Sequence, residues 1–355
     1  MKPVYFFLGA NSGEGFYSLY EQLLGGRLDD LMILKGGPGC GKSTLMRRMG
    51  EAAERLGERV IYIQCSGDPD SLDGAIFPEC RAAVVDGTSP HVLEPTYMAS
   101  CERYVDLTRF YDVAAAKARR GEIIALSDEY RAHYRSAYRV LRALDEVSAE
   151  RCTAAYAQMD FGKLERRMRA ILARELRGEG TGTGRVDRAF LGGLTHCGDI
   201  CRFDTVDTLC PRVYALCDSA GLGDPALKAA CAAAQERSFD VIACPDPDRP
   251  QKLQHVLIPE KGLAFVTTNA RIPYTGKPYR RLRLDAMAEE KLSRAQKAKL
   301  RFAARVEASL RSEAVSALAS AKRAHDALET AYHPCVDFDG VTTLAEQEID
   351  RLLKQ

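Results

Sequence analysis

The feature that most constrains this 355-residue chain is an internal repeat spaced by about half its length. Phe7-Leu8-Gly9-Ala10 returns as Phe190-Leu191-Gly192-Gly193, and the apolar run Leu31-Met32-Ile33-Leu34 as Val213-Tyr214-Ala215-Leu216. Val60-Ile61 returns as Val241-Ile242, and Ala75-Ile76-Phe77-Pro78-Glu79 as Val256-Leu257-Ile258-Pro259-Glu260. Ala82-Ala83-Val84-Val85-Asp86 returns as Leu263-Ala264-Phe265-Val266-Thr267. Each pair stands 181 to 183 residues apart, in one order. A period of that size marks a repeated domain, not the roughly 20–50-residue unit of a solenoid. Each half then enters a long stretch without proline, between Pro95 and Pro211 and between Pro278 and Pro334. Apolar residues recur there at helical spacing: Tyr134, Tyr138, Leu141 and Leu144 in the first, Phe302, Val306, Leu310, Ala314, Leu318 and Ala321 in the second. The expectation is a duplicated α/β fold with mainly parallel sheets, each half followed by a helical hairpin. Its boundaries are a core over 1–95, helices over 96–177, a Gly-rich linker over 178–185, a second core over 186–285 and helices over 286–355.

Composition removes several function classes. Lys+Arg number 50 against 49 Asp+Glu, a net charge of +1, which argues against nucleic-acid binding through bulk charge. No apolar run reaches the roughly 20 residues of a membrane span, and the N-terminal apolar patch is too short for a secretory signal. A cytoplasmic location is expected. Twelve cysteines are scattered without a Cys-x-x-Cys pair and read as reduced core thiols. The tightest cluster, His196-Cys197 with Cys201, Cys210 and Cys217, matches no standard zinc spacing.

The chemistry sits at Gly36-Gly37-Pro38-Gly39-Cys40-Gly41-Lys42-Ser43, which fits the phosphate-loop pattern G-x-x-x-x-G-K-[ST]. A strand-like run, Asp30 to Lys35, precedes it, and an amphipathic helix from Ser43 to about Leu56 follows, with Leu45, Met49, Ala52 and Ala53 as its inner face. Glycines let successive N–H groups turn inward around an anion, and a helix N-terminus adds its dipole. ATP is expected against Gly36, Gly37, Pro38, Gly39, Cys40, Gly41, Lys42, Ser43 and Thr44. Lys42 should face the β- and γ-phosphates, and the Ser43 hydroxyl should ligate Mg²⁺. Asp86, closing a buried run, is the candidate Mg²⁺ carboxylate beside the Ser43 hydroxyl; Gly87 follows it, where a water-activating Glu often stands. His91 is a candidate γ-phosphate sensor, with a local hydrogen bond as its plainer role. Cys65-Ser66-Gly67-Asp68-Pro69-Asp70-Ser71-Leu72-Asp73 follows a predicted strand, where loops line ligand crevices. Lys42, Asp70, Asp73 and Asp86 are the candidate catalytic residues; turn and cap chemistry is the competing role of the aspartates.

At the matching place the second half reads Asp218-Ser219-Ala220-Gly221-Leu222-Gly223-Asp224-Pro225. Asp224 replaces Lys42, Pro225 replaces Ser43 and Thr267 replaces Asp86. Asp224 is expected to aim at the phosphate position and repel it, so one nucleotide per chain follows. Arg271, Arg280 and Arg281 are candidates to approach the first site.

Together these residues resemble a bacterial family of tandem P-loop ATP-binding proteins, ATPases of unknown role. Phe7-Leu8-Gly9-Ala10-Asn11, the loop Leu34–Ser43, Cys65–Asp73, Asp86-Gly87-Thr88-Ser89-Pro90-His91 and Ile258-Pro259-Glu260 carry the resemblance. It implies ATP as nucleotide and a P-loop NTPase-type three-layer domain in each half, the halves packing as an intramolecular pseudo-dimer. A slow ATPase or ATP-dependent switch is the leading function. A small-molecule kinase using the Asp68–Asp73 loop, with Arg119, Arg120, Arg131 or Arg135 in a lid, stands beside it, as does a non-catalytic ATP-binding scaffold. A protein or small-molecule partner is expected, without nucleic acid or membrane.

Overall fold

Unbroken apolar runs such as Leu31-Met32-Ile33-Leu34 need cover on both faces of a sheet. The computed structural model, which describes residues 2–287 and 293–354, supplies that cover from both halves of the chain. The N-terminal half runs β1 (Val4–Phe6), β2 (Gly9–Ser12), β3 (Gly15–Ser18), β4 (Asp30–Lys35), α1 (Lys42–Arg55), β5 (Ile61–Gln64), β6 (Leu72–Phe77), β7 (Ala82–Asp86) and β8 (Glu102–Asp106). Three helices follow: α2 (Val113–Ala118), α3 (Arg120–Tyr156) and α4 (Phe161–Glu175). The second half runs β9 (Val186–Arg188), β10 (Gly192–Thr195), β11 (Gly198–Cys201), α5 (Phe203–Leu209), β12 (Arg212–Cys217), α6 (Asp224–Gln235), β13 (Val241–Asp246), β14 (Arg249–Ile258), β15 (Leu263–Thr268) and β16 (Arg280–Arg283). The long α7 (Arg294–Tyr332) and α8 (Phe338–Leu353) close the chain.

The molecule is an α/β protein with two six-stranded mixed sheets. The first has the order β1-β5-β6-β7-β4-β8, and the second reads β9-β13-β14-β15-β12-β16. In both, the third strand is antiparallel to its neighbours and the other pairs are parallel. Alternate residues divide the strand faces. Leu31, Ile33, Ala83 and Val85 meet Val213, Ala215, Ala264 and Val266 in one core shared by both sheets. Met32, Leu34 and Val84 face outward against Leu45, Met46 and Met49 of α1. Tyr214, Leu216 and Phe265 face outward against Ala226, Leu227 and Ala230 of α6.

The expected helical hairpin in each half does not form. α3 and α7 pack along each other instead, through Ala137, Leu141 and Leu144 against Ala314, Ala317 and Leu318. The cause is length: α3 has 37 residues and α7 has 39, so each spans roughly 55–60 Å and outruns its own sheet. α4 is thereby delivered to α6 of the other half, through Leu164, Met168 and Leu172. α8 returns to α1, through Val341, Leu344 and Leu352. The first sheet also continues past residue 95, because β8 pairs with β4 inside the stretch expected to be helical. The linker is held by its backbone: Thr183 and Arg185 donate to Asp240, and Thr181 to Glu260. All twelve cysteines are unpaired. Among the described residues, no helix is long and apolar enough to cross a membrane.

Candidate functional site

The loop Gly36–Gly41 leaves β4 at its carboxyl end and feeds α1, whose first residue is Lys42. Gly39 and Gly41 take φ of +69° and +86°, the left-handed region that side chains disfavour. The N–H groups of Gly39, Gly41, Ser43 and Thr44 find no acceptor oxygen among the described residues; the helix ladder begins with Leu45 N–H on the Gly41 carbonyl at 2.9 Å. Lys42 folds over the loop, its Nζ donating to the carbonyls of Gly36 at 2.8 Å and Gly37 at 2.9 Å. Cys40 is buried below, the Tyr111 hydroxyl donates to the Pro38 carbonyl at 3.2 Å, and Thr44 is exposed.

Asp86 ends β7, which lies directly beside β4 and parallel to it, opposite Leu34. Its carboxylate lies 3.5 Å from Lys42 Nζ and accepts the Thr88 N–H at 2.8 Å and the Thr88 hydroxyl at 2.6 Å. Ser43 Oγ accepts the Leu72 N–H at 2.9 Å. The antiparallel ladder of β6 with β7 begins at Gly74 against Val85, so Asp73, just before it, stands at the end of β7 that Asp86 closes. Asp73 is buried and lies 3.3 Å from His91 Nε2. Burial opposes a charged His91, but the Asp73 charge and hydrogen bond outweigh it, so the His91 pKa is raised. The His91 ring packs on Tyr20 at 4.9 Å between centroids. Burial, then the charge of Asp73, pushes the Tyr20 phenol well up. Tyr20 Oη, Gln64 Oε1 and His91 Nδ1 are buried without a hydrogen-bond partner among the described residues. Each such group costs about 1–3 kcal/mol in a closed site.

Asp70 is not brought to this group. Its side chain is exposed, its carbonyl accepts Arg47 at 2.8 Å, and its N–H serves the Asp68 turn at 3.3 Å. Asp68 pairs with Lys322 of α7 at 3.3 Å. α7 comes from the other half and lies on the loop: a Cβ on Gly39 would stand 3.1 Å from the Glu329 Cα and 3.1 Å from His333. The proposed lid arginines do not reach the loop. Arg119 donates to the Ala331 carbonyl, Arg131 pairs with Asp128 on the surface, and Arg120 and Arg135 are exposed. Arg280 and Arg281 are exposed too, as is Arg271, which pairs with Asp248 at 2.8 Å and Asp199 at 3.7 Å, where Arg311 bridges the same carboxylates.

The second loop is filled from within. Asp218, 2% exposed, accepts the Gly223 N–H at 2.8 Å and the Ala220 N–H at 3.1 Å. It stands where Gly36 stands in the first half. Burial raises its pKa, against the N–H groups of Leu222, Gly223 and Ala220, which lower it. Asp224 corrects an expectation. It does not aim into the loop: it accepts the Leu253 N–H at 2.8 Å and pairs with Lys228 at 2.8 Å. Leu253 matches Leu72, so Asp224 does for β14 what Ser43 does for β6. The sequence signal of the plug is an Asp at a glycine position of the loop, not the exchanges at the Lys and Ser positions.

Chemically, the first loop offers unpaired N–H groups, one ammonium, one hydroxyl and one carboxylate around a single point. That set suits a polyanion with a hard, oxygen-preferring cation. The fit is supported by the matching loop, where a carboxylate already occupies the N–H cradle. Two surface cavities, of about 440 and 490 Å³, lie elsewhere, beside α4 and α6 and beside α3 and β14. No protein-family model, curated protein or solved structure matches the chain.

Proposed function

We propose that the N-terminal half binds one Mg-ATP in the Gly36–Ser43 loop and acts as a slow ATPase or ATP-dependent switch. One observation carries this reading: Lys42 Nζ sits on the loop carbonyls and 3.5 Å from Asp86, at the end of the strand adjoining the loop's own. Lys42 would face the β- and γ-phosphates, while Ser43 and Asp86 would hold Mg²⁺, which neutralises phosphate charge when bound. Both sheets share one strand order, which supports a duplicated P-loop-type domain packed as an intramolecular pseudo-dimer. The second half, plugged by Asp218, serves as the structural partner that roofs the first loop with α7. A change in the loop would be felt by that helix and by the Asp68–Lys322 pair, which is the basis for a switch.

Titration calorimetry with a slow-hydrolysing ATP analogue and Mg²⁺ tests the reading. Saturable binding near one per chain is expected. Absence of binding, with the chain folded, sinks it.

A further inference from the structure

The first half buries polar groups that its fold does not require. The second half forms the same sheet with other residues at the matching places. Phe203 stands for Tyr20, Gln254 for Asp73 and Thr267 for Asp86. Against Phe203 packs Tyr274, at 5.2 Å between centroids, where His91 packs against Tyr20. The Tyr274 hydroxyl donates to Asp207 at 2.6 Å, and Gln254 Oε1 pairs with His255 at 3.0 Å. The second set is thus satisfied locally. In the first set Tyr20 Oη and His91 Nδ1 are buried without a partner. The set changes together with Lys42 and Ser43, so it accompanies the phosphate loop and not the fold.

Its place in the sheet agrees. β6 runs antiparallel, so its first residues lie at the carboxyl ends of β5 and β7. Leu72 N–H is bonded to Ser43 Oγ at 2.9 Å, and Asp73 is the next residue. Gly87 follows Asp86, so the usual place of a water-activating carboxylate is vacant of one. We propose that Asp73 fills that role: it accepts the proton of the attacking water, with His91, 3.3 Å away, as the residue that positions it. This rests on the Mg-ATP reading above. In the step, the water oxygen bonds to the γ-phosphorus as the bond to the β–γ bridging oxygen breaks. The bridging electron pair stays with ADP. One water proton passes to Asp73 and then to the released phosphate.

The test pairs single-turnover phosphate release with calorimetry of the slow-hydrolysing analogue, on the full chain. Asp73→Gln copies a residue that the second half already accommodates. Asp73→Gln should slow phosphate release by about 100-fold, with analogue affinity within about threefold. His91→Gln should slow it by about tenfold at unchanged KM, a split that loss of packing alone does not give. A wild-type chain that binds no analogue overturns both this role and the reading beneath it. A wild type that binds but releases no phosphate overturns the role and leaves nucleotide binding standing. Wild-type turnover in Asp73→Gln overturns it, as does affinity lost in step with turnover. Should Asp73→Gln not fold, wild-type turnover in His91→Gln is the overturning result.

Discussion

Phe7 and Phe190 exchange both of their backbone hydrogen bonds, at 2.9 and 2.8 Å. They stand just ahead of β2 and β10, and the exchange joins the two halves of the chain. Contacts between the halves continue outward to the long helices. Lys322 of α7 pairs with Asp68 at 3.3 Å, and at the matching place Asp145 of α3 pairs with Arg249 at 2.9 Å, with the charges reversed. Glu329 of α7 lies on Gly39, and Cys152 of α3 lies 3.6 Å from the Gly221 carbonyl. Each loop is roofed by the other half.

Lys42→Ala should lower Mg-ATP affinity by at least about 100-fold, the loss of a charge-assisted contact and more. Lys42 is bonded to two loop carbonyls and paired with the buried Asp86 at 3.5 Å, and Asp86 keeps the Thr88 N–H and hydroxyl in the variant, so the melting temperature should fall by several degrees with the fold kept. Calorimetry and a thermal melt check this together. Unaltered affinity removes Lys42 from the site.

Asp86→Asn should raise the Mg²⁺ concentration needed for nucleotide binding by about tenfold or more, and change metal-free binding less. The amide keeps a carbonyl for the Thr88 N–H and hydroxyl, so the turn survives. A wild-type Mg²⁺ titration in this variant moves the metal-holding role to another residue, with Asp73, which follows the Leu72 bonded to Ser43, next in line.

Deleting residues 337–355 removes α8, which covers the first sheet's helix and not the second's. Val341, Leu344, Ala345 and Leu352 are all buried there. At about 1.5–3 kcal/mol for each large side chain, the truncated chain should lose several kcal/mol, concentrated in the N-terminal half. Hydrogen exchange should show α1 deprotected while α6 keeps its protection. Equal loss in both halves contradicts the crossed arrangement.

Much of the fold was legible because strand runs and their spacing are local signals. The run Ala82–Asp86 and the helix after Lys42 form where the pattern puts them. The crossing of the helices was not legible, since an apolar stripe gives the buried face of a helix but not its partner. The Ala-rich faces of α3 and α7 fit either a hairpin or each other, and only helix length decides. In the candidate site, Lys42 and Asp86 are named from spacing, and the fold brings them to 3.5 Å. Separating Asp73 from Asp70 needs the fold, which buries Asp73 at the start of β6 beside His91 and leaves Asp70 in a solvent-facing turn.

His255 supplies a pH prediction. It is fully buried in β14, where its Nδ1 accepts the Thr267 N–H at 3.2 Å. Its Nε2 therefore carries the proton and faces Gln254 Oε1 at 3.0 Å. Burial lowers its pKa to about 3, from an unfolded value near 6.5. Between those values the unfolded chain binds one more proton, so stability is full above about pH 6.5 and falls with pH toward 3, by up to about 1.4 kcal/mol per pH unit. His91, with its raised pKa, acts in the opposite sense, favouring the fold below its unfolded value. Denaturant melts from pH 7 to 5 should show a shallower acid slope in His255→Gln than in the wild type. Equal slopes contradict the neutral His255.

The last prediction concerns stoichiometry: one nucleotide per chain, although both halves carry a strand, loop and helix in the same order. The reason is occupancy. Asp218 already sits in the second cradle, and its two N–H bonds, from Gly223 and Ala220, are those an incoming phosphate would need. Hydrogen bonds to a charged group are worth about 1.5–3 kcal/mol each, and a phosphate would have to displace them while facing the carboxylate's own charge. Pro225 further removes one backbone donor from the first turn of α6. Asp224, paired with Lys228 and bonded to Leu253, contributes little to the exclusion. Asp218→Ala should therefore lose about 2–4 kcal/mol of stability, as buried N–H groups lose their acceptor. Sulfate at tens of millimolar should restore part of that loss by entering the emptied cradle, raising the variant's melting temperature more than the wild type's. Calorimetry of the wild type should still give about one analogue per chain, and Lys42→Ala should give none. A wild-type stoichiometry near two, or an Asp218→Ala chain as stable as the parent and indifferent to sulfate, contradicts the plug.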